Sequence, residues 1–124
     1  MLILNNIFEH IFLKNVNQIK RIRILTGYSS GIFLKFFVKE FPNIPVDVYI
    51  GMAQQGIKKN DHDIYLKLSK ESSFNLYYQV AGKYTHMKLF EIEYFNHKET
   101  YVGSANFSFS GMFEQNELMT LVDS

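Results

Sequence analysis

A chain of 124 residues is enough polypeptide to bury one core and leaves no room for two independently folding halves. With 47% hydrophobic and 16% aromatic residues, 12 Phe and 8 Tyr among them, disorder is excluded. Thirteen Lys and Arg against 12 Asp and Glu give a net charge of +1, which argues neither for nor against a polyanionic partner. The sum hides a split. Residues 1–88 carry 12 basic and 6 acidic side chains, whereas residues 89–124 set Lys98 against Glu91, Glu93, Glu99, Glu114, Glu117 and Asp123. One reading is a basic face for a polyanion; the other is ordinary solvated charge. The absence of Cys excludes a disulfide framework, a thiolate zinc site and a cysteine nucleophile, and fits a reducing cytoplasm. Lys35, Lys39 and Glu40 break the longest apolar stretch, and Met1–Leu13 lacks the basic start and cleavage site of a signal peptide. The expectation is a cytoplasmic protein that neither spans a membrane nor is exported through one.

The first element is a helix of about three turns. Ile7, Phe8, Ile11, Phe12, Val16 and Ile19 follow a helical stripe after the cap candidates Asn5 and Asn6. In Arg21–Tyr28, Ile22, Ile24 and Thr26 alternate with Arg21, Arg23 and Leu25, which predicts a strand. Ser29 and Ser30 then cap a helix over Gly31–Phe41, with Ile32, Phe33, Phe36, Phe37 and Phe41 on its apolar face and Pro42 as its stop. Val46–Met52 is the next strand, so a βαβ unit with a parallel pair is expected. A helix over Asp61–Ser72, through Ile64, Tyr65 and Leu68, precedes a strand over Phe74–Val80. His86–Tyr94 and Glu99–Asn106, joined by the polar Phe95–Lys98 turn, predict a β-hairpin, and Asn116–Val122 predicts a last strand. The fold class is α/β with a mixed sheet flanked by helices.

Chemistry concentrates in the hairpin and in the segment C-terminal to it. His86 and Lys88 stand at i and i+2, so on a strand both side chains leave the same face and can meet one phosphate. The returning strand ends in Gly103-Ser104-Ala105-Asn106, where Gly allows close backbone approach and Ser and Asn supply neutral donors. Glu117 then precedes the apolar Leu118, Met119, Leu121 and Val122, and is expected to lie on their strand. A carboxylate in such a setting usually has a partner. Tyr28, Gly27 and Gly51 sit where strands end beside this region; Tyr28 and Gly27 are candidate cleft-lining residues, together with Gly103. The densest basic run, Lys14, Lys20, Arg21 and Arg23, reads either as a track for a DNA backbone or as the outer face of a strand.

HMK, GSANFS and the Glu of NEL together resemble the single-copy His-Lys motif of the phospholipase D superfamily. The run from His86 to Leu118, with GSANFSFSGMFEQNEL and the upstream ILTGYSS and VDVYIGM, is most similar to its NgoFVII-type restriction-endonuclease branch. The resemblance covers about residues 20 to 122 and implies a phospholipase D-like fold. Two departures stand out: Glu93 occupies the slot where the superfamily usually has Asp, and the hairpin before Gly103 is a few residues longer than the common form.

The resemblance implies a phosphodiesterase that hydrolyses double-stranded DNA at a homodimer interface, without a metal or cofactor. His86 of one copy would attack phosphorus to form a phosphohistidine, and His86 of the other would protonate the leaving oxygen. Lys88, Ser104 and Asn106 would bind the phosphate oxygens, and Glu117 would orient a His86. Enzymes of this branch carry a C-terminal target-recognition domain, so residues 1–124 are expected to be a single isolated or truncated catalytic domain. The alternatives are an inactive remnant that serves as a DNA-binding or interaction module, and a lipid phosphodiesterase; no amphipathic basic helix supports the last. Asp61-His62-Asp63, His10 and His97 read as solvated surface, and the Phe residues 33, 36, 37, 41 and 90 as core.

Overall fold

A computed structural model describes residues 2–3, 6–83, 85–114 and 117–123. Seven strands form one sheet: β1 (Leu2–Ile3), β2 (Ile19–Thr26), β3 (Val46–Ile50), β4 (Phe74–Tyr78), β5 (Lys88–Tyr94), β6 (Lys98–Gly103) and β7 (Met119–Asp123). Their order across the sheet is β1-β7-β6-β5-β2-β3-β4. The β2-β3 and β3-β4 pairs are parallel, as the intervening helices α1 (Gly31–Glu40) and α2 (Lys59–Glu71) require, and the remaining pairs are antiparallel. The βαβ unit and the hairpin thus form as their patterns predict.

Alternation puts Ile22, Ile24, Val46, Val48, Phe90, Ile92 and Tyr101 on one face, which both helices cover. The filling is largely aromatic. Phe33 and Phe37 of α1 meet Phe107 edge-on at 4.9 and 4.5 Å, and Phe12 meets Phe37 at 5.1 Å. Ser30 caps α1 by accepting the Phe33 N–H at 3.2 Å. The opposite face of the central strands is polar. There Arg21 and Arg23 stand across from Glu93 and Glu91 on β5, and Arg23 stands across from Asp47 on β3.

Four sequence expectations change and one strand is added. The N-terminal helix is a wide helical turn, Phe8–Leu13, and a separate short turn, Val16–Gln18; Asn6 makes no side-chain cap, and Asn5 lies outside the described residues. The stripe itself holds, since Ile7, Phe8, Ile11 and Phe12 are buried, but Val16 and Ile19 reach the core by other geometry. Ile32 is 64% exposed and Leu34 takes its place, because the first turn of α1 aims Phe33 and Leu34 inward. His86 precedes β5 rather than lying on it, so the same-face argument does not place it. Glu117 precedes β7 for the same kind of reason: the β6-β7 ladder begins at Gly103 opposite Met119. Asn116, the expected start of that strand, lies outside the described residues. Finally, the two-residue β1 pairs with β7 with too little sequence to announce itself.

Candidate active site

Every sequence-predicted site residue lies at one end of the sheet. β2 and β3 finish there, β5 begins, β6 finishes and β7 begins. Lys88 opens β5 directly across from Gly103, the last residue of β6. Gly103 is itself across from Met119. A Cβ on Gly103 would fall on the Leu118 carbonyl oxygen, so only glycine lets β6 and the chain before β7 close this tightly. Ser104 locks the same junction twice: its N–H donates to the Leu118 carbonyl at 2.9 Å, and its Oγ accepts the Leu118 N–H at 3.0 Å. Ser104 therefore holds Glu117 beside the end of β6, and its hydroxyl hydrogen remains available to a ligand.

Asn106 is held from below and from the side. The next residue, Phe107, is fully buried against Phe33 and Phe37, which fixes the loop's height above the core. Thr26, the last residue of β2 and also fully buried, fixes its direction. The Thr26 hydroxyl accepts the Phe107 N–H at 3.1 Å and shares its hydrogen between the Tyr28 carbonyl at 2.8 Å and Asn106 Oδ1 at 3.3 Å. With its oxygen so engaged, the Asn106 amide has an NH2 group that makes no hydrogen bond among the described residues. Gly27 sits beneath, where a Cβ would approach Met52 Sδ to 3.0 Å and Asn106 Oδ1 to 3.7 Å. Tyr28 is 42% exposed and donates to Gln55 Oε1 at 2.5 Å, closing one wall.

His86 is delivered by the loop after β4. The Gly51 N–H donates to the Thr26 carbonyl at 2.8 Å, and the Thr85 N–H donates to the Gly51 carbonyl at 3.2 Å. A continuous hydrogen-bonded path thus joins the residue before His86 to the residue that orients Asn106. The loop itself is clamped by one side chain. Gln79 donates to the Ala81 carbonyl at 3.3 Å and to the Lys83 carbonyl, while its Oε1 accepts the Thr85 hydroxyl at 2.6 Å.

Among the described residues, no hydrogen bond or ion pair engages the side chains of His86, Lys88 or Glu117 within one chain. Lys88 and Glu117 are half-buried and His86 is exposed. What gathers is a histidine, a lysine, an amide and a carboxylate, each on a braced backbone and each free to meet a phosphate or a second copy of the site. Among the described residues no group of three or more His, Asp and Glu is disposed to hold a metal ion. Asp61, His62 and Asp63 diverge in the first turn of α2: toward the Gly31 N–H, the Tyr78 hydroxyl and Lys59. His10 is exposed, and His97 stacks on Tyr94 at the far end of the sheet.

Glu93 does not join the site. It lies at the turn end of β5, across from Lys98, where Arg23 binds it at 3.0 Å and Lys20 at 3.4 Å. The Arg23 hydrogen bond, with Lys20 adding to it, holds its carboxyl below the usual carboxylate range. The basic run is spent in the same way. Lys14 pairs with Glu99 at 2.8 Å, Arg21 with Asp47 at 3.7 Å, and Arg23 with Glu91 at 2.6 Å. These pairs favour the reading of the run as the charged outer face of a strand over that of a DNA track, since carboxylates of the hairpin and of β3 already face its cations.

Two residues escaped the sequence reading. Thr26 read only as an inward strand position, yet a hydroxyl buried at a strand end just before a Gly must find partners, and that was the available signal. Gln79 gave none, since its three partners lie in a loop without a pattern.

Residues 4–124 match the family described as NgoFVII restriction endonuclease N-terminal PLD domain. Comparison with curated protein sequences finds no match. Among solved structures, the chain is similar to NucT from Helicobacter pylori, with 13% identity and a TM-score of 0.60 over 96% of this chain and 81% of that one. It is also similar to a variant of yeast tyrosyl-DNA phosphodiesterase, with 18% identity and a TM-score of 0.61 over 96% of this chain and 29% of that one. A third is polyphosphate kinase from Porphyromonas gingivalis, with 10% identity and a TM-score of 0.60 over 94% and 16%. At these identities the likeness is one of fold, and the chain spans under a third of the last two proteins.

Proposed function

The chain belongs to the family of NgoFVII restriction endonuclease N-terminal PLD domains, and from that premise we propose that it hydrolyses double-stranded DNA without a metal, as a homodimer, through a phosphohistidine. The observation that carries this reading is the convergence of His86, Lys88, Asn106 and Glu117 on one end of the sheet, with the ionisable three unpaired among the described residues while the charges of the opposite end are paired.

In-line displacement at phosphorus needs a nucleophile on one side and a proton donor on the other. A single histidine cannot be both at once, so His86 of a second copy supplies the proton. A neutral His86 ring nitrogen attacks phosphorus and forms a P–N bond. The P–O bond to the departing strand breaks, and that oxygen takes the proton of the second His86. Water then attacks phosphorus, giving its proton to the now neutral second histidine, and the P–N bond breaks to release the phosphate end. Lys88 from both copies places fixed positive charge against the non-bridging oxygens, and the NH2 of Asn106 adds a neutral donor with no reorganisation. Glu117 orients a His86 across the assembled interface by accepting the far ring N–H.

Residues 1–124 act in this reading as one catalytic module, with target recognition residing in a separate C-terminal domain. Incubation of the purified protein with plasmid DNA in excess EDTA tests it. Nicking that persists in EDTA and disappears in His86→Ala is the expected result. Loss of all cutting on chelation would overturn the metal-free mechanism, and uncut DNA with sedimentation as a monomer would favour an inactive interaction module.

A further inference from the structure

Beside His86 runs an open groove of about 460 Å3, lined by Gln54, Gly82, Lys83 and His86. Among the described residues that line it, none is acidic. Lys83 is exposed, and among the described residues nothing pairs with its ammonium. That sets it apart from Lys14, Lys20, Arg21, Arg23 and Lys98, each of which faces a carboxylate within 4 Å. The groove is also built. The Gln79 side chain grips the Ala81 and Lys83 carbonyls and the Thr85 hydroxyl, and Gln54 Nε2 donates to the Gly82 carbonyl at 3.1 Å from the opposite wall. Gly51 admits the Thr85 backbone where any Cβ would collide with it. The backbone that carries Lys83 and His86 is thereby fixed at both ends.

We propose that this groove is a second phosphate subsite, in which Lys83 takes the backbone phosphate adjacent to the one that His86 attacks. The inference rests on the nuclease reading and names how that site holds its strand. Lys83 and His86 stand three positions apart, so their Cα atoms lie at most about 11 Å apart. A lysine side chain swinging within that span covers the spacing of neighbouring phosphates in a strand, and one flexible point charge suits a phosphate contact that carries no base information. The Gln54 amide, anchored through its nitrogen, lines the wall along which the intervening nucleotide passes.

The test uses fluorescence anisotropy of a labelled DNA duplex with the full chain carrying His86→Ala, so that binding is read without cleavage. Titrations run between roughly 50 and 200 mM salt, the range over which released counterions count the phosphate contacts. Adding Lys83→Ala, or Lys83→Gln to preserve length, is expected to weaken binding about three- to tenfold at the low-salt end and to lower the salt slope by about one for each copy bound. Lys70→Ala, at the far end of α2, is expected to leave both unchanged. A slope unaffected by either Lys83 variant, while Lys88→Ala reduces it, overturns the subsite and leaves the nuclease reading standing. If the His86→Ala chain binds no duplex and the unaltered chain cuts none, both fall together.

Discussion

The two ends of the sheet are opposites in the way they treat charge. At the turn end, Lys14, Lys20, Arg21, Arg23 and Lys98 are matched by Glu99, Glu93, Asp47 and Glu91 within 4 Å. At the other end His86, Lys88 and Glu117 have no partner among the described residues, although the backbone beneath them is braced by Ser104, Thr26 and Gln79. A charge whose partner is already present adds to the folded state and can do little else. A charge held ready without one contributes little to stability and is available to an anion. The difference separates charges spent on the fold from charges open to a ligand, and it does so where composition could not, because both ends draw on the same residue types.

The sharpest way to break the comparison is to remove a group from the active end and look for a cost in stability. His86→Ala and Lys88→Ala are each expected to cut the DNA cleavage rate by about 10³-fold or more, as removal of a nucleophile or fixed cation does elsewhere, with a urea midpoint close to that of the unaltered protein. A large loss of stability in either would show that the active end is structural after all. Phe107→Ala tests the floor of the site instead. Deleting a fully buried ring that packs on Phe33 and Phe37 is expected to cost about 3–5 kcal/mol in denaturant unfolding. Thr26→Val keeps the volume and removes the hydroxyl that turns Asn106. The expected signature is a fall of about tenfold in turnover at little change in substrate affinity, since a misaimed donor is worth about 1.4 kcal/mol or more in the transition state.

The turn end is expected to show the converse. Burial works to raise the Glu99 carboxyl, but hydrogen bonds from Lys14, Tyr101 and His97 hold it below the usual range. A carboxyl depressed in the folded state stabilises fully above its unfolded pKa, about 4.3, and loses that contribution as pH falls through the folded value. Urea titrations should therefore show stability falling below about pH 4, and Glu99→Gln should both lower stability by about 1–3 kcal/mol at neutral pH and flatten that acid limb. Smallest of all is Arg23→Gln. Its pairs with Glu91 and Glu93 lie on the solvated face, so the salt dependence of DNA binding should not change. A slope reduced by about one for each copy bound would restore the basic strand as a DNA track.

Much of the molecule is legible in its sequence. The period-two alternation of Ile22, Ile24 and Thr26 determined which face of β2 is buried, the Ser30 cap and Pro42 bounded α1, and the helix between two apolar strands required a parallel pair. The motifs HMK, GSAN and the Glu of NEL carried the family and the candidate site through their resemblance to the single-copy His-Lys motif. Local pattern and residue chemistry suffice for such features. The tertiary structure alone decided that carboxylates of the hairpin and of β3 face the cations of the basic strand, that Glu93 belongs to that ion-pair cluster, and that His86 and Glu117 stand on braced loops beside their strands. It also decided that Gln79 holds the His86 loop, that Thr26 holds the Asn106 loop, and that Lys83 shares a groove with His86. The ion pairs and the Thr26 contact depend on segments far apart in sequence meeting across the sheet, and the Gln79 clamp depends on the path of an irregular loop; a linear charge count or a strand period carries no term for either.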